Sequence, residues 1–424
     1  MRRVALLNSR KPRRPTPGDR WVRLTVLLAR HLARTGETLV VAPGPLHYEL
    51  PQFCARAAGG AVLVVGPKPE PAARNHGGPL EAPRAGVPAG GAAAEPAARD
   101  RAVVEAADEV LVVEARAGGV VERLAWELLL RGRPVLVCPA DDAPGTAGNR
   151  RLLAAGAEEL WPEGLGAEAV AFRAACAVGR TALPAPVFPT LPEAAAARDW
   201  PWVVHFTRAC AGPFPGEPRA EYLAALAGAD DPRFHDGRRA LERMLGEGRI
   251  RAAGRLIRGG HPVVSFTAAH PAVLARLARW ARHLGRRTFE PYGVGVRRAA
   301  APRLGLRPVV YGPPELHAAL PEGERHLFQR RQGRREEWTA EREWRVRGDV
   351  ELGRWPADEA VVVVPTAAEA AGLRADSRFA VLALETWAGQ FPVEGAGAGS
   401  STGGSAGSGA GAGVWAAGAR GGSP

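Results

Sequence analysis

Lysine is almost missing from this chain. Only Lys11 and Lys68 occur among its 424 residues, and neither sits in the glycine–lysine–hydroxyl context that a P-loop requires. A P-loop ATPase is therefore excluded. The net charge of +12 comes from arginine, in a chain where alanine, glycine and proline are also abundant throughout. That pattern fits GC-rich codon usage, which weakens the inference from basic charge to a polyanionic partner.

Cysteine is scarce too. Cys54, Cys138, Cys176 and Cys210 lie too far apart in sequence for a compact zinc motif, and four are too few for a disulfide framework in a chain of this size. No metal is expected, and a reducing cytoplasm is the default compartment. The apolar run Val4–Leu7 behind Met1-Arg2-Arg3 is too short for a signal peptide, ending at Asn8-Ser9-Arg10. Nowhere does an uninterrupted apolar stretch approach the ~18 residues of a membrane helix, so the expectation is a soluble protein without a membrane partner.

What is present is organised. Short β-branched runs bounded by turn residues predict strands at Val4–Leu7, Leu39–Ala42, Ala61–Val65, Val110–Glu114 and Pro134–Cys138. Helical patterns fall between them at Trp21–Arg34 and Val120–Arg131. In the second, Val120, Val121, Leu124, Ala125, Leu128 and Leu129 recur at helical spacing. Strand–helix alternation predicts a parallel sheet with helices on both faces over residues 1–180, with a flexible Pro/Gly/Ala-rich insertion at 66–100. A proline-rich linker is expected at 181–200, a second domain at 201–390, and a disordered Gly/Ala/Ser tail at 391–424.

Ligands of such sheets sit at the carboxyl ends of the strands. There the chain carries Ser9 and Arg10 after the first strand and Gly44 after the second. Glu114, Gly118 and Gly119 follow the fourth, and Gly148 and Asn149 follow the fifth. Glycines at a strand-to-helix turn let the backbone approach a ligand, and free N–H groups at the helix start favour an anion. These eight residues are the expected ligand contacts.

The second domain reads as α+β with a mainly antiparallel sheet. Strands are expected at Val203–Thr207, Pro262–Thr267, Phe289–Val296, Pro308–Gly312 and Trp338–Val346, and helices at Arg238–Leu245 and Pro271–Leu284. On a strand, Glu341, Glu343 and Arg345 share one face. With His205, Thr207, Ser265, Thr267, Glu290 and Tyr292 they form a polar set suited to a nucleotide-sugar cleft.

The stretch VLVVEARAGG…ERLAWELLLRGRPVLVCP…GTAGNRRLLAAGA resembles the second half of the Rossmann-like domain of the DNA-processing protein DprA (Smf), within the wider SLOG superfamily. Glu114, Gly118, Gly119, Gly132, Arg133, Gly148, Asn149, Gly156 and Ala157 carry the likeness, which spans about residues 1–160. The family's glycine- and arginine-rich middle motif is missing, its place taken by APGPLHYELPQFCARAAGG. The resemblance implies a nucleotide or single-stranded DNA partner, and homo-oligomerisation stays open.

In the second domain the order His205, Tyr292, Glu343 is similar to the His–Tyr–Glu layout of ADP-ribosyltransferase folds. The elements HFTR, EPYG and EREWR also resemble abortive-infection-type bacterial domains. That likeness implies catalytic roles for these three residues and NAD as a substrate. Two readings follow: a nucleotide- or DNA-sensing protein whose second domain is an effector in phage defence or stress, or a non-enzymatic, DprA-related protein that binds single-stranded DNA. A phosphoribohydrolase-like use of the Glu122 region ranks last, because AGGVVE matches the pattern of such enzymes only in part.

Overall fold

The computed structural model describes residues 1–9, 14–66, 96–141, 144–160, 165–166, 168–177, 187–190, 199–228, 234–254, 256–281, 286–331 and 339–387. Arg10, Trp338, the tail at 391–424, and most of the expected insertion and linker lie outside these residues.

The first unit is an open parallel sheet of β1 (Arg3–Asn8), β2 (Thr38–Val41), β3 (Val62–Val64), β4 (Glu109–Glu114), β5 (Val135–Val137) and β6 (Glu158–Glu159). Their spatial order is β3-β2-β1-β4-β5-β6. Val4–Leu7 and Val110–Val113 are wholly buried, which is why the two central strands read as continuous apolar runs. The sheet is flanked by α1 (Arg20–Arg34), α2 (Leu46–Ala57), α3 (Pro96–Ala106), α4 (Val120–Leu130), α5 (Ala147–Ala154) and α6 (Ala169–Ala177). α1 packs on α2 and α6, while α4 packs between α3 and α5. α1 turns Trp21, Leu24, Thr25, Leu28 and Leu32 inward at helical spacing. α2 was not an expected element; it carries Pro51 in its interior and occupies the place of the absent middle motif.

The second unit contains β7 (Trp202–Phe206), β8 (Arg249–Ile250), β9 (Val263–Thr267), β10 (Trp280–Ala281), β11 (Arg286–Arg287), β12 (Gly293–Arg297) and β13 (Arg307–Pro308). It continues with β14 (Val310–Gly312), β15 (Phe328–Arg330), β16 (Glu343–Arg347), β17 (Val350–Glu351), β18 (Ala360–Val364) and β19 (Ala380–Ala383). Seven of them form a mixed sheet in the order β13-β16-β9-β7-β12-β18-β19, antiparallel except for the β18–β19 edge. One face buries Val203, Val264, Phe266, Tyr292, Val294 and Val362, and the other buries Trp202, Val204, Phe206, Phe289, Val361 and Val363.

Around this sheet lie α7 (Arg219–Gly228), α8 (Gly237–Glu247), α9 (Pro271–Leu277) and α10 (Ala367–Arg374). The expected helix Pro271–Leu284 ends early, at Leu277. The Thr288 hydroxyl donates to Leu277 O at 2.7 Å and accepts from the Arg279 amide at 3.1 Å, turning the chain into the β10–β11 ribbon.

The two units share packing. Tyr222, Leu223 and Leu226 of α7, with Phe234, belong to the same buried cluster as the first unit's core. α7 rests on α1 and α2, and Arg219 reaches Glu49 at 3.1 Å. The apolar core of the parallel sheet therefore continues beyond residue 201 in sequence.

Candidate functional site

The strand order turns at β1 and β4: the chain leaves β1 toward β2 on one side and leaves β4 toward β5 on the other. The carboxyl edge between β1 and β4 (the β1/β4 crevice) is therefore the usual ligand position in open sheets of this kind. Ser9 stands at its centre. Its amide donates to Glu114 O at 2.8 Å and its hydroxyl accepts from the Arg116 amide at 3.0 Å, so the two loops are tied together. Beneath it the Asn8 side chain is buried. Its Nδ2 donates to Thr25 Oγ1 at 3.1 Å, while its Oδ1 has no hydrogen-bond partner among the described residues.

Arg20, which the sequence did not single out, stitches this edge from the start of α1. Its guanidinium lies 3.3 Å from Glu114 and 3.8 Å from Asp141, and it donates to Pro139 O. Glu114 is thus held by an internal arginine. Arg116 lies on the loop above the crevice, exposed, and its guanidinium makes no ion pair among the described residues. Gly44, at φ +108, sits exposed at the end of β2 beside β1.

Three of the expected ligand contacts are engaged inside the protein. Gly148 and Asn149 belong to the frame of the sheet edge. Asn149 is fully buried: its Oδ1 accepts from the Ala115 amide at 2.6 Å and its Nδ2 donates to Val113 O (3.1 Å) and Cys138 O (2.9 Å). The Gly148 amide donates to Ala115 O at 2.8 Å, so α5 presses directly on the end of β4. Gly118, at φ +71, makes the expected turn, but its amide is taken by the Glu122 carboxylate. Glu122 is buried in the first turn of α4, with Arg151 3.0 Å away. The helix start thus already holds an anion, from its own sequence, in the manner of a capping box.

No protein-family model matches the sequence, and no curated protein matches it. Solved structures with similarity to it include two DNA-processing proteins. One is DNA processing protein A from Helicobacter pylori, described for its single-stranded DNA binding mode. It is 19% identical, with a TM-score of 0.26, and the match covers 37% of this chain and 74% of that one. The other is DprA from Streptococcus pneumoniae: 18% identical, TM-score 0.28, covering 38% of this chain and 58% of that one. Scores of this size carry nothing about activity.

In the second unit the expected trio is not assembled. His205 contacts Phe266 edge-on, ring centroids 5.7 Å apart, on the face that also buries Tyr292. The Tyr292 hydroxyl donates to Glu369 at 2.8 Å. Trp344 and Val346 of β16 pack against this same face, so strand alternation turns Glu343 to the opposite one. Glu343 there receives two 2.9 Å hydrogen bonds from Arg345. The ADP-ribosyltransferase layout therefore has no counterpart in the geometry. Glu341 also departs from expectation: it lies in a 3-10 turn, followed by Arg342 at φ +45, and the strand begins only at Glu343.

Other polar groups in this unit are tightly engaged. Burial holds His205 down to about 4, as a neutral ring whose Nδ1 lies 2.7 Å from Ser265 O; that contact makes Nδ1 the protonated nitrogen. Burial first, and Glu343 second, push the Glu341 carboxyl up to about 7, against the pull of Arg208 and Arg345. Glu290 is buried and fully used, accepting from the Ala209 amide at 3.0 Å and the Gly237 amide at 2.7 Å. Among the described residues no cluster has the composition of a metal site, and no helix is long and apolar enough to cross a membrane.

Proposed function

We propose that the chain binds single-stranded DNA at the carboxyl edge of its parallel sheet, as a non-enzymatic relative in kind of DNA-processing proteins. The observation that carries this reading is the carboxyl edge between β1 and β4, where Arg116 is exposed and makes no ion pair among the described residues. An exposed arginine without a carboxylate partner suits a phosphodiester. The glycine and G-N pattern of residues 108–157 supports the same reading by resemblance.

The test is fluorescence anisotropy with oligo-dT across a salt series. Binding that weakens steeply with salt, and whose salt slope shrinks by about one in Arg116→Ala, supports the reading. Binding that is absent at low salt, or insensitive to Arg116→Ala, overturns it.

A second reading makes the second unit an effector acting on a nucleotide. It is favoured by Glu341, a carboxyl poised near neutrality beside Glu343 and Arg208. Under it, Glu341→Gln abolishes nucleotide turnover, NAD included, while the fold is retained. Turnover that survives the substitution removes Glu341 from catalysis.

A further inference from the structure

A second group of arginines gathers where the two units meet. Arg14 belongs to the loop that leaves the carboxyl end of β1, and its Nη2 donates to Phe234 O at 3.2 Å. The neighbouring His235 O accepts from the Cys210 amide at 2.8 Å, and the adjacent Ala209 amide donates to Glu290. This chain of hydrogen bonds brings Arg14, Arg208 and the β11–β12 segment into one neighbourhood. Arg208 stands over the Phe289 ring, 5.1 Å from its centroid, and Arg286 and Arg287 lie just upstream on β11. Arg286 feels both Arg208 and Arg14 electrostatically.

The guanidinium groups here are under-used. Arg14 Nε, Arg286 Nη1 and Arg287 Nε are buried nitrogens without a hydrogen-bond partner among the described residues. Glu290, which acts electrostatically on Arg286, has both oxygens committed to backbone amides. Glu343 is held by Arg345, and Asp236 caps α8 through the Arg239 amide at 2.9 Å. Glu341 lies within electrostatic reach of Arg208 but makes no ion pair with it among the described residues. Like charges brought together with unmet donors are costly unless an anion completes them.

We propose that Arg14, Arg208 and Arg286 bind a phosphate group at the junction of the two units, so that the ligand touches both. Arginine suits the task because its planar fork offers paired donors to phosphate oxygens. The phosphate belongs either to a nucleic-acid strand or to a free nucleotide. The strand assignment rests on the DNA-binding reading above.

Thermal shift of the full chain with inorganic tripolyphosphate, at constant ionic strength, tests the site by itself. The anion raises the melting temperature of the wild type, and Arg208→Ala, Arg286→Ala or Arg14→Ala abolishes or strongly reduces that rise. Arg123→Ala, on the exposed side of α4 and away from the junction, keeps it. Arg208 is exposed and makes no ion pair among the described residues, so its variant is the least able to disturb folding. No rise in the wild type, or an equal rise in the three arginine variants, overturns the proposal. Parallel titrations identify the source. With oligo-dT, affinity falls on the order of ten-fold per arginine if the phosphate is a strand's. With dTTP, the loss appears there alone if it is a free nucleotide's. Should the wild type fail to bind oligo-dT at all, the DNA reading falls while the tripolyphosphate result still decides the junction site.

Discussion

Gly148 lies against Ala115 so closely that a Cβ on the glycine would come within 2.8 Å of the Ala115 carbonyl. The approach fixes α5 on the end of β4 and brings Asn149 to the position where it ties the ends of β4 and β5. Gly148→Ala is therefore expected to destabilise the protein by about 2 kcal/mol through overpacking against backbone, which cannot give way as a side chain would. Asn149→Ala strands one buried amide and two carbonyls and should cost about 3 kcal/mol. Urea unfolding midpoints of the two variants check both figures. An unchanged midpoint for Gly148→Ala would show that α5 moves off the strand freely.

Glu122 fills the start of α4 with negative charge, which bears on what the glycine turn can bind. Glu122→Gln keeps an acceptor for the Gly118 amide while removing the charge. Oligo-dT binding is expected to tighten about two- to five-fold in this variant, the size of a helix-terminus charge effect. Equal affinity of variant and wild type would place the strand away from α4.

Two titrations in the second unit oppose each other. His205 titrates near 4 folded, below its usual 6.5, so the stability it contributes is full above 6.5 and is lost as pH falls toward 4. Glu341 titrates near 7 folded, above its usual 4.5, so its contribution is full below 4.5 and is lost as pH rises through 7. Between pH 4.5 and 6.5 the two largely cancel. Denaturant stability measured across that window should rise with pH in Glu341→Gln, where His205 acts alone. In His205→Gln it should fall with pH. Parallel profiles for the two variants would contradict the assignment.

Much of the first unit was legible because its central strands are short apolar runs between turn residues, as at Val4–Leu7 and Val110–Glu114. α1 and α4 were legible from their apolar stripes. The second unit was less so. Ala360–Val364 was not among the expected strands, although its run of valines is the pattern of a strand buried on both faces, which β18 is. The site divides the same way. Glycine spacing marked the turns, but which polar atoms are already satisfied depends on tertiary partners. Asn149 bonds to carbonyls of β4 and β5, and Glu122 folds back on Gly118, and neither contact follows from spacing alone. Arg14 and Arg286 lie 272 positions apart, and only the packing of the units on α7 joins them.

Arg345 is buried, and every hydrogen bond it makes is internal. It holds Glu343 through two of its nitrogens, donates to His326 O at 2.9 Å and Phe328 O at 2.7 Å, and reaches Gln329 Oε1 at 2.7 Å. It thereby pins the start of β15, and His326 before it, to β16 of the main sheet. Arg345→Met leaves the part-buried Glu343 without its cation and two carbonyls without donors, so a loss of about 3 kcal/mol is expected. Lysine is a poor replacement, since one ammonium cannot span the forked carboxylate and both carbonyls together. The double variant Arg345→Met/Glu343→Leu should recover part of the loss, because the uncompensated charge is gone. Failure of the double variant to exceed the single one in urea midpoint would show that the carbonyl contacts, rather than the ion pair, hold this edge together.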